Sequence, residues 1–327
     1  MPQRENQLRG WLTGVVGSSH YNLEPASGDA SFRRYFRITL PDEGTRIAMD
    51  APPENEDCRP FVTIATHLLE LGLNVPHVYE SDLEQGFLLL SDLGSELYLD
   101  RLAMNGSERL YSDALAALMV IQACGRRDGL PPYSQELLLQ EMNLFREWLL
   151  GRHLELSLTA AEQQMLDDAS DLLLANALEQ PQVFVHRDYH SRNLLVTAAP
   201  NPGILDFQDA VIGPVTYDLV SLLKDCYISW PREQVKQWVF GYYELAQQSG
   251  VLRSEHEDSF LRWFDLMGVQ RHLKASGIFA RLNIRDGKPG YLQDIPRTLG
   301  YIVELVPEYP ELGPLAELVT GRVLPAL

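Results

Sequence analysis

A chain of 327 residues can bury a large core, and its length suggests one two-lobed unit or two domains. Its composition, 45% hydrophobic and 22% charged, is that of a folded protein and excludes general disorder. A formal net charge of −18 argues against nucleic-acid binding and against attachment to an anionic membrane surface, while three scattered cysteines argue against a disulfide framework or a zinc site.

The first segment, MPQRENQLRGWL, lacks the apolar stretch of a signal peptide, and no run in the chain approaches the ~18 apolar residues of a membrane span. We therefore expect a cytoplasmic protein without a nucleic-acid or membrane partner, and we take a monomer as the working expectation. Helical periodicity over residues 5–17 predicts the first helix.

A turn of small residues precedes the alternating strand pattern of residues 32–38; it consists of Ser27, Gly28, Asp29, Ala30 and Ser31. Such a turn can lie close over phosphates and offer backbone N–H groups, although an ordinary hairpin has the same pattern. Its position early in the chain favours the phosphate-binding interpretation.

The next elements are a strand over residues 45–50, an amphipathic helix over residues 61–71 with Gly72 at its C-cap, and two strands over residues 75–80 and 86–90. Helical patterns then cover residues 110–123, 136–150, 162–178, 232–248 and 256–282. Thr159 and Glu162 form a capping-box match before the third of these helices, and Gly268 or Gly277 could break the last one.

The middle of the chain carries the residues suited to chemistry. Short apolar runs lead to Asp188 and Asp206, and the second run lies after a Pro/Gly turn at residues 199–203 that predicts a hairpin. Metal-assisted phosphoryl transfer needs one carboxylate to take the proton of the attacking hydroxyl, and oxygen ligands to hold Mg²⁺ on the nucleotide phosphates. Asp188 fits the first role, and Asn193 and Asp206 fit the second.

The spacing H-x-D-x-H-x-x-N from His186 to Asn193, followed by D-F-x-x-A-x-x-G-x-x-x-x-D-L from Asp206 to Leu219, resembles the aminoglycoside phosphotransferase/choline kinase-like family of small-molecule kinases. The resemblance implies a protein-kinase-like two-lobed α+β fold. A small antiparallel-sheet lobe over residues 1–92 would bind the nucleotide, and a larger, mostly helical lobe over residues 93–327 would carry the catalytic and acceptor-binding groups. ATP would lie between the lobes under residues 27–34, with adenine at the hinge residues Ser91, Asp92 and Leu93.

The strand over residues 45–50 departs from the kinase pattern. Asp50 stands where a phosphate-gripping lysine is expected, and no lysine precedes Lys224. Either an arginine substitutes, with Arg34 on the neighbouring strand as the first candidate, or Mg²⁺ and backbone amides of the loop carry that charge.

Four segments, GDASFRRYFR, MDAPPE, HRDYHSRN and GVQRHLKASGIFARLN, resemble more narrowly the bacterial kinases that phosphorylate N-acetylmuramate and N-acetylglucosamine at the anomeric hydroxyl during cell-wall recycling. Residues 262–297 contain seven Arg or Lys against three Asp, a local charge of +4 that favours an anionic acceptor such as the lactyl carboxylate of N-acetylmuramate. The candidate acceptor contacts are His190, Arg192, Asp209, Arg271 and Lys274.

Two alternatives stay open from the sequence. The first is a kinase for aminoglycosides or another small alcohol such as choline or homoserine, although a cationic acceptor calls for an acidic site. The second is an inactive pseudokinase-type binding module, which the missing lysine favours. The presence of Asp188, Asn193 and Asp206 argues against that second alternative, since an inactive protein has no chemical need for all three.

Overall fold

The computed structural model describes residues 2–27, 32–41, 44–104 and 107–327. The helices are α1 (Pro2–Val16), α2 (Arg59–Glu70), α3 (Tyr98–Leu102), α4 (Ser107–Cys124), α5 (Gln135–Leu144), α6 (Ala160–Leu178), α7 (Tyr217–Leu223), α8 (Arg232–Gln248), α9 (Glu257–Asp286), α10 (Ile295–Leu305) and α11 (Gly313–Leu318). The strands are β1 (Asn22–Ser27), β2 (Arg34–Leu40), β3 (Gly44–Asp50), β4 (Val78–Asp82), β5 (Phe87–Ser91), β6 (Gln182–Val185), β7 (Leu194–Leu195), β8 (Gly203–Ile204) and β9 (Val211–Pro214).

The chain divides into two compact units. One consists of Met1–Leu97 together with Leu194–Asp209, and the other of Tyr98–Asn193 together with Ala210–Leu327. The predicted lobes were continuous, whereas the first unit also takes in the hairpin of β7 and β8 and the segment after it. The motif-bearing part of the chain therefore contributes residues to both units.

The first unit is built on a five-stranded antiparallel sheet with the strand order β1-β2-β3-β5-β4. Side chains alternate along β2, so that Phe36, Ile38 and Leu40 are buried. They pack with Leu8 and Leu12 of α1, which covers this face of the sheet. The predicted hairpin is also present, because β7 and β8 pair with Leu194 opposite Ile204.

The second unit is mostly helical and is centred on α9, which packs against α5, α6, α7 and α10. Its small strands β6 and β9 pair in antiparallel fashion, with Val185 opposite Val211. The antiparallel sheet of the first unit and the helices of the second confirm the predicted α+β fold class. In the ranges that the structure covers, no helix is long and apolar enough to cross a membrane.

Helix α9 is continuous, so the break considered near its glycines does not occur. A Cβ on Gly277 would lie 2.5 Å from the backbone nitrogen of Phe145, and even closer to the carbonyl group of Leu144. Gly268 faces the side chain of Lys224, whose Nζ would be 3.3 Å from such a Cβ. Both glycines therefore permit close packing of α9 on its neighbours.

Candidate active site

The loop between β6 and Asn193 carries the predicted catalytic carboxylate, and Asp218 of α7 fixes its start. Asp218 is fully buried and accepts hydrogen bonds from the backbone N–H groups of His186 at 2.6 Å and Arg187 at 2.9 Å. Burial raises the pKa of Asp218 to about 7. Arg187 adopts a positive φ of 77°, a conformation that non-glycine residues rarely take and that the fixed backbone imposes here.

A second buried carboxylate, Asp225, fixes the middle of the same loop. Its Oδ2 accepts a hydrogen bond from the backbone N–H of Ser191 at 2.9 Å, and its Oδ1 accepts one from Tyr227 at 3.0 Å. Asp225 was not predicted from the sequence. Its position just after α7 matches no motif that we used, and only the folded chain brings it to the loop.

Asp188 and Asn193 are joined within this loop. The side-chain amide of Asn193 donates a hydrogen bond to the carbonyl oxygen of Asp188 at 3.0 Å. Burial would raise the pKa of the Asp188 carboxyl, but the positive charge of Lys274 and its neighbours holds that pKa below its usual range. An ionised Asp188 can accept a proton, which is the property required of a general base.

Asp188 lies in a pocket with an empty volume of about 440 Å³ in the second unit. The lining residues are Asp188, His190, Tyr217, Cys226, Tyr227, Arg271, Lys274, Ala275, Ile278 and Phe279. The structure therefore brings His190, Arg271 and Lys274, three of the predicted acceptor contacts, to the predicted base. Burial lowers the pKa of His190, and its buried Nδ1 has no hydrogen-bond partner in the described part of the chain.

The two cations of the pocket differ in how their charge is balanced. Lys274 Nζ lies 2.9 Å from Glu141 Oε1 and donates to the Tyr217 hydroxyl at 2.9 Å. Arg271 is 6% exposed, and its Nη1 donates a hydrogen bond to Cys226 Sγ at 3.6 Å. Its Nε has no partner, and it forms no ion pair with any residue that the structure describes. Arg271 therefore offers the pocket a charge that no described carboxylate holds in an ion pair, although Asp188 and Asp225 lie close enough to raise its pKa.

Glu141 of α5 was not predicted as part of the site. It is buried and joins Arg187 and Lys274 in one ionic cluster, with the Tyr133 hydroxyl as a further partner. Burial would raise the pKa of Glu141, but Lys274 and Arg187 hold it below its usual range. This carboxylate therefore keeps both cations in place beneath the catalytic loop.

Arg192 and Asp209, the other predicted acceptor contacts, lie elsewhere. The Arg192 guanidinium lies over the rings of Tyr227, at 4.7 Å from the ring centroid, and Tyr291, at 5.2 Å. Asp209 belongs to the first unit, where its Oδ2 is 3.9 Å from Arg33 Nη2. Neither residue lines the pocket that contains Asp188.

Asp206 also belongs to the first unit and carries an ionic cluster of its own. Its Oδ1 lies 3.3 Å from Arg33 Nη1 and accepts a hydrogen bond from the side chain of Gln208 at 2.8 Å. Asp206 has a positive φ of 64°, and the next residue, Phe207, is buried with its ring centroid 4.9 Å from that of Phe61 on α2. Packing of Phe207 thus helps to hold the backbone of Asp206 in this strained conformation.

A family model described as "Phosphotransferase enzyme family" matches residues 22–252 of this chain. The chain belongs to that family. It is 49% identical over 299 residues to the N-acetylmuramate/N-acetylglucosamine kinase of Pseudomonas aeruginosa, covering 91% of this chain and 88% of that protein. It is 42% identical over 325 residues to the kinase of the same name from Neisseria meningitidis serogroup B, covering 98% of this chain and 96% of that protein.

Among solved structures, this phosphotransferase is similar to a choline kinase from Cryptosporidium parvum. The TM-score is 0.66 at 11% identity, and the match covers 95% of this chain and 98% of the other. At that identity the match concerns the fold, which is the kinase-like fold that the sequence motifs predicted. The family resemblance noted in the sequence is confirmed.

The predicted nucleotide contacts of this phosphotransferase lie in the first unit. Gly28, Asp29, Ala30 and Ser31 fall outside the residues that the structure describes, and Ser27 is the last residue of β1. Arg34 donates from Nε to Asp50 Oδ2 at 3.1 Å. The position that lacks a lysine is occupied by Asp50, whose carboxylate is fully buried. Its Oδ1 also accepts a hydrogen bond from Arg4 Nε at 2.8 Å.

The predicted hinge residues follow β5 directly. Asp92 holds Arg37 through Nε at 2.6 Å and Nη2 at 3.0 Å, and it accepts the backbone N–H of Gly94 at 3.0 Å. Ser91 Oγ accepts the backbone N–H of His77 at 2.9 Å, and Leu93 follows at the end of the sheet. These contacts engage the side chains of Ser91 and Asp92 within the first unit, and binding of adenine by this segment stays a prediction.

Oxygen donors suited to magnesium are present, although the described residues form no closed metal centre. Within the described ranges, no three side chains of His, Cys, Asp or Glu form a group that could hold a metal ion. Nucleotide-bound Mg²⁺ does not require one, because it takes one or two protein oxygens and completes its shell with phosphates and water. Asp206 supplies a carboxylate, and Asn193 uses its amide nitrogen for Asp188, which directs its amide oxygen elsewhere. Each is an oxygen donor of the kind that Mg²⁺ takes, and their joint role in holding the ion stays a prediction.

Proposed function

We propose that this chain is an ATP-dependent kinase that phosphorylates the anomeric hydroxyl of an N-acetylated amino sugar, N-acetylmuramate or N-acetylglucosamine. Its similarity to kinases named for these two sugars supports the substrate class. The structural observation that carries the proposal is the pocket in which Arg271, a buried cation that forms no ion pair with a described residue, lies with the predicted base Asp188. A cytoplasmic location, where ATP is available, belongs to the same proposal.

In the proposed reaction the anomeric hydroxyl donates a hydrogen bond to Asp188, which takes its proton as the sugar oxygen attacks the γ-phosphorus. A new P–O bond forms to the sugar while the bond to the bridging oxygen of ADP breaks, so the products are a sugar 1-phosphate and ADP. Transfer is direct, and no phospho-enzyme is formed. Magnesium held by Asn193 and Asp206 would neutralise charge on the phosphates.

Other side chains of the pocket would hold the acceptor. The lactyl carboxylate of N-acetylmuramate suits Arg271, because a guanidinium matches a carboxylate with paired hydrogen bonds. The unpartnered Nδ1 of His190 suits a sugar hydroxyl or amide group, since a buried polar atom without a partner is costly. Lys274 is already balanced by Glu141, so its main effect is on the charge of Asp188.

An acceptor panel tests this proposal. Release of ADP from ATP would be followed with N-acetylmuramate, N-acetylglucosamine, kanamycin, choline and homoserine, each with and without Mg²⁺. We expect turnover with the two N-acetylated sugars and none with the three cationic or zwitterionic compounds. Turnover of kanamycin or choline alone would contradict the substrate class. Failure of every acceptor, together with intact nucleotide binding, would favour a binding module.

A further inference from the structure

Arg33 is the arginine of the first unit that contacts the predicted magnesium ligand. Its side chain is 9% exposed and contacts three carboxylates through three different nitrogens. The distances are 3.2 Å from Nε to Glu56, 3.3 Å from Nη1 to Asp206 and 3.9 Å from Nη2 to Asp209. Burial lowers the pKa of Arg33, but Tyr35, Asp206 and Glu56 together hold it above the usual arginine value.

The neighbouring Arg34 has a different task. Adjacent side chains on an extended chain point in opposite directions. Arg34 accordingly forms an ion pair with Asp50, which lies opposite it in the pairing of β2 with β3. Arg33 forms an ion pair with Asp206. Because Asp50 is fully buried, Arg34 acts there as a counter-ion together with Arg4.

We propose that Arg33 is the cation that grips the nucleotide phosphates in this enzyme, in place of the lysine that β3 lacks. The proposal rests on the proposed ATP-dependent function. In kinases, the strand lysine pairs with a glutamate and holds phosphate oxygens beside the metal-binding aspartate. Arg33 reproduces those partners from the position just before β2, with Glu56 as the glutamate and Asp206 as the aspartate.

The chemistry of the guanidinium fits this role. A lysine ammonium offers three donors at one point, whereas a guanidinium offers five N–H donors in a planar fork. The fork of Arg33 contacts Glu56 and Asp206 through separate nitrogens, so these carboxylates hold the guanidinium beside the predicted metal ligand, where a phosphate group would meet it. Arg33 lies one position before β2 and two positions after Ser31, the last residue of the turn that the sequence predicts to cover the phosphates.

Binding of ADP and of adenosine, measured by calorimetry in the presence of Mg²⁺, tests the assignment without any acceptor. In Arg33→Gln we expect ADP affinity to fall about 10- to 100-fold, the size of a lost charge-assisted hydrogen bond, while adenosine affinity stays unchanged. Arg33→Lys should recover part of the loss, because it restores the charge but not the fork. Arg46→Gln, which removes an arginine of β3 that lies over the Tyr79 ring, serves as the matched control and should bind both ligands normally.

Two results would overturn the proposal. Equal weakening of ADP and adenosine in Arg33→Gln would show that Arg33 only supports the fold, and unchanged or tighter ADP binding would show that it only fills a cation site. If Arg33→Gln does not fold, Arg33→Lys decides, since a selective loss of ADP affinity is still expected. The acceptor proposal fails separately, when the wild-type protein binds ADP but phosphorylates no sugar.

Discussion

The side-chain amide of Asn193 donates a hydrogen bond to the carbonyl oxygen of Asp188 at 3.0 Å, which ties the predicted metal ligand to the backbone of the predicted base. Asp218 and Asp225 fix the same loop through the backbone N–H groups of His186, Arg187 and Ser191. The position of the Asp188 carboxylate is therefore set by hydrogen bonds to the main chain. Substitutions at Asp188 should affect the chemistry without moving the loop.

Asp188→Asn should reduce kcat about 100- to 10,000-fold, the range that general-base catalysis contributes. The amide cannot take the proton of the acceptor hydroxyl, although its size and its main-chain contacts are retained. Affinity for ADP with Mg²⁺ should stay close to that of the wild-type protein. A kcat within a few-fold of wild type in a steady-state assay would remove Asp188 from the role of base.

Arg271→Met should discriminate between the two sugars. The variant keeps the side-chain volume but removes the charge available to a lactyl carboxylate, so kcat/KM for N-acetylmuramate should fall about 10- to 100-fold. N-acetylglucosamine has no such carboxylate and should be affected much less. Arg262→Met on the same helix, which removes an exposed ion pair with Glu311, is the control and should change neither value.

The stability of Arg271→Met adds a second readout. Arg271 forms no ion pair with a described residue, so its removal should change the free energy of unfolding little. A kinetic loss in a protein of equal or greater stability would point to lost recognition. Equal losses for both sugars, with lower stability, would contradict the recognition role.

Asp218 should make stability depend on pH. Burial raises its pKa from 3.8 to about 7, so between these values the folded protein binds more protons than the unfolded chain. The contribution of Asp218 to the free energy of unfolding is therefore present at low pH and decreases as pH rises to about 7. The asparagine of Asp218→Asn cannot titrate. The free energy of unfolding of this variant should therefore be lower than that of the wild type at pH 4, and the difference should shrink by pH 8. Denaturant unfolding across this range measures it, and a deficit that grows with pH would show the opposite sign.

Gly277→Ala should destabilise the second unit. The added Cβ would lie well inside contact distance of backbone atoms of Leu144 and Phe145, which cannot rotate away. We expect a loss of roughly 1–3 kcal/mol in the free energy of unfolding, as for other overpacked sites. Gly10→Ala in α1, where a Cβ meets nothing within 4 Å, is the control and should gain about 0.5–1 kcal/mol. A neutral Gly277→Ala would mean that α9 and α5 can separate at no cost.

The sequence was informative where the chemistry is local. A motif could identify the residues proposed for catalysis and metal binding, because Asp188, Asn193 and Asp206 follow one another at a fixed spacing. The Thr159 capping box is equally local and is present in the structure, with Glu162 as its partner. Helix α9 was predicted from its periodicity, which depends on residues within the helix alone.

Contacts between distant segments could not be read from the sequence. Glu141 has the pattern of an ordinary acidic residue on a helix, and only packing of α5 against α9 shows that it neutralises Lys274. The basic stretch that suggested Lys274 and Arg271 together therefore separates into a balanced cation and an unbalanced one. In the same way, the choice between Arg33 and Arg34 depends on strand pairing that places Asp50 opposite Arg34.

The measurement that tests the central claim most directly is ³¹P NMR of the product formed from N-acetylmuramate and Mg-ATP, with Asp188→Asn as the parallel sample. A sugar 1-phosphate, with phosphorus coupled to the anomeric proton, should form in the wild-type reaction and be reduced to background in the variant. Phosphate on another hydroxyl, or equal product from Asp188→Asn, would contradict the assignment of an anomeric kinase with Asp188 as its base.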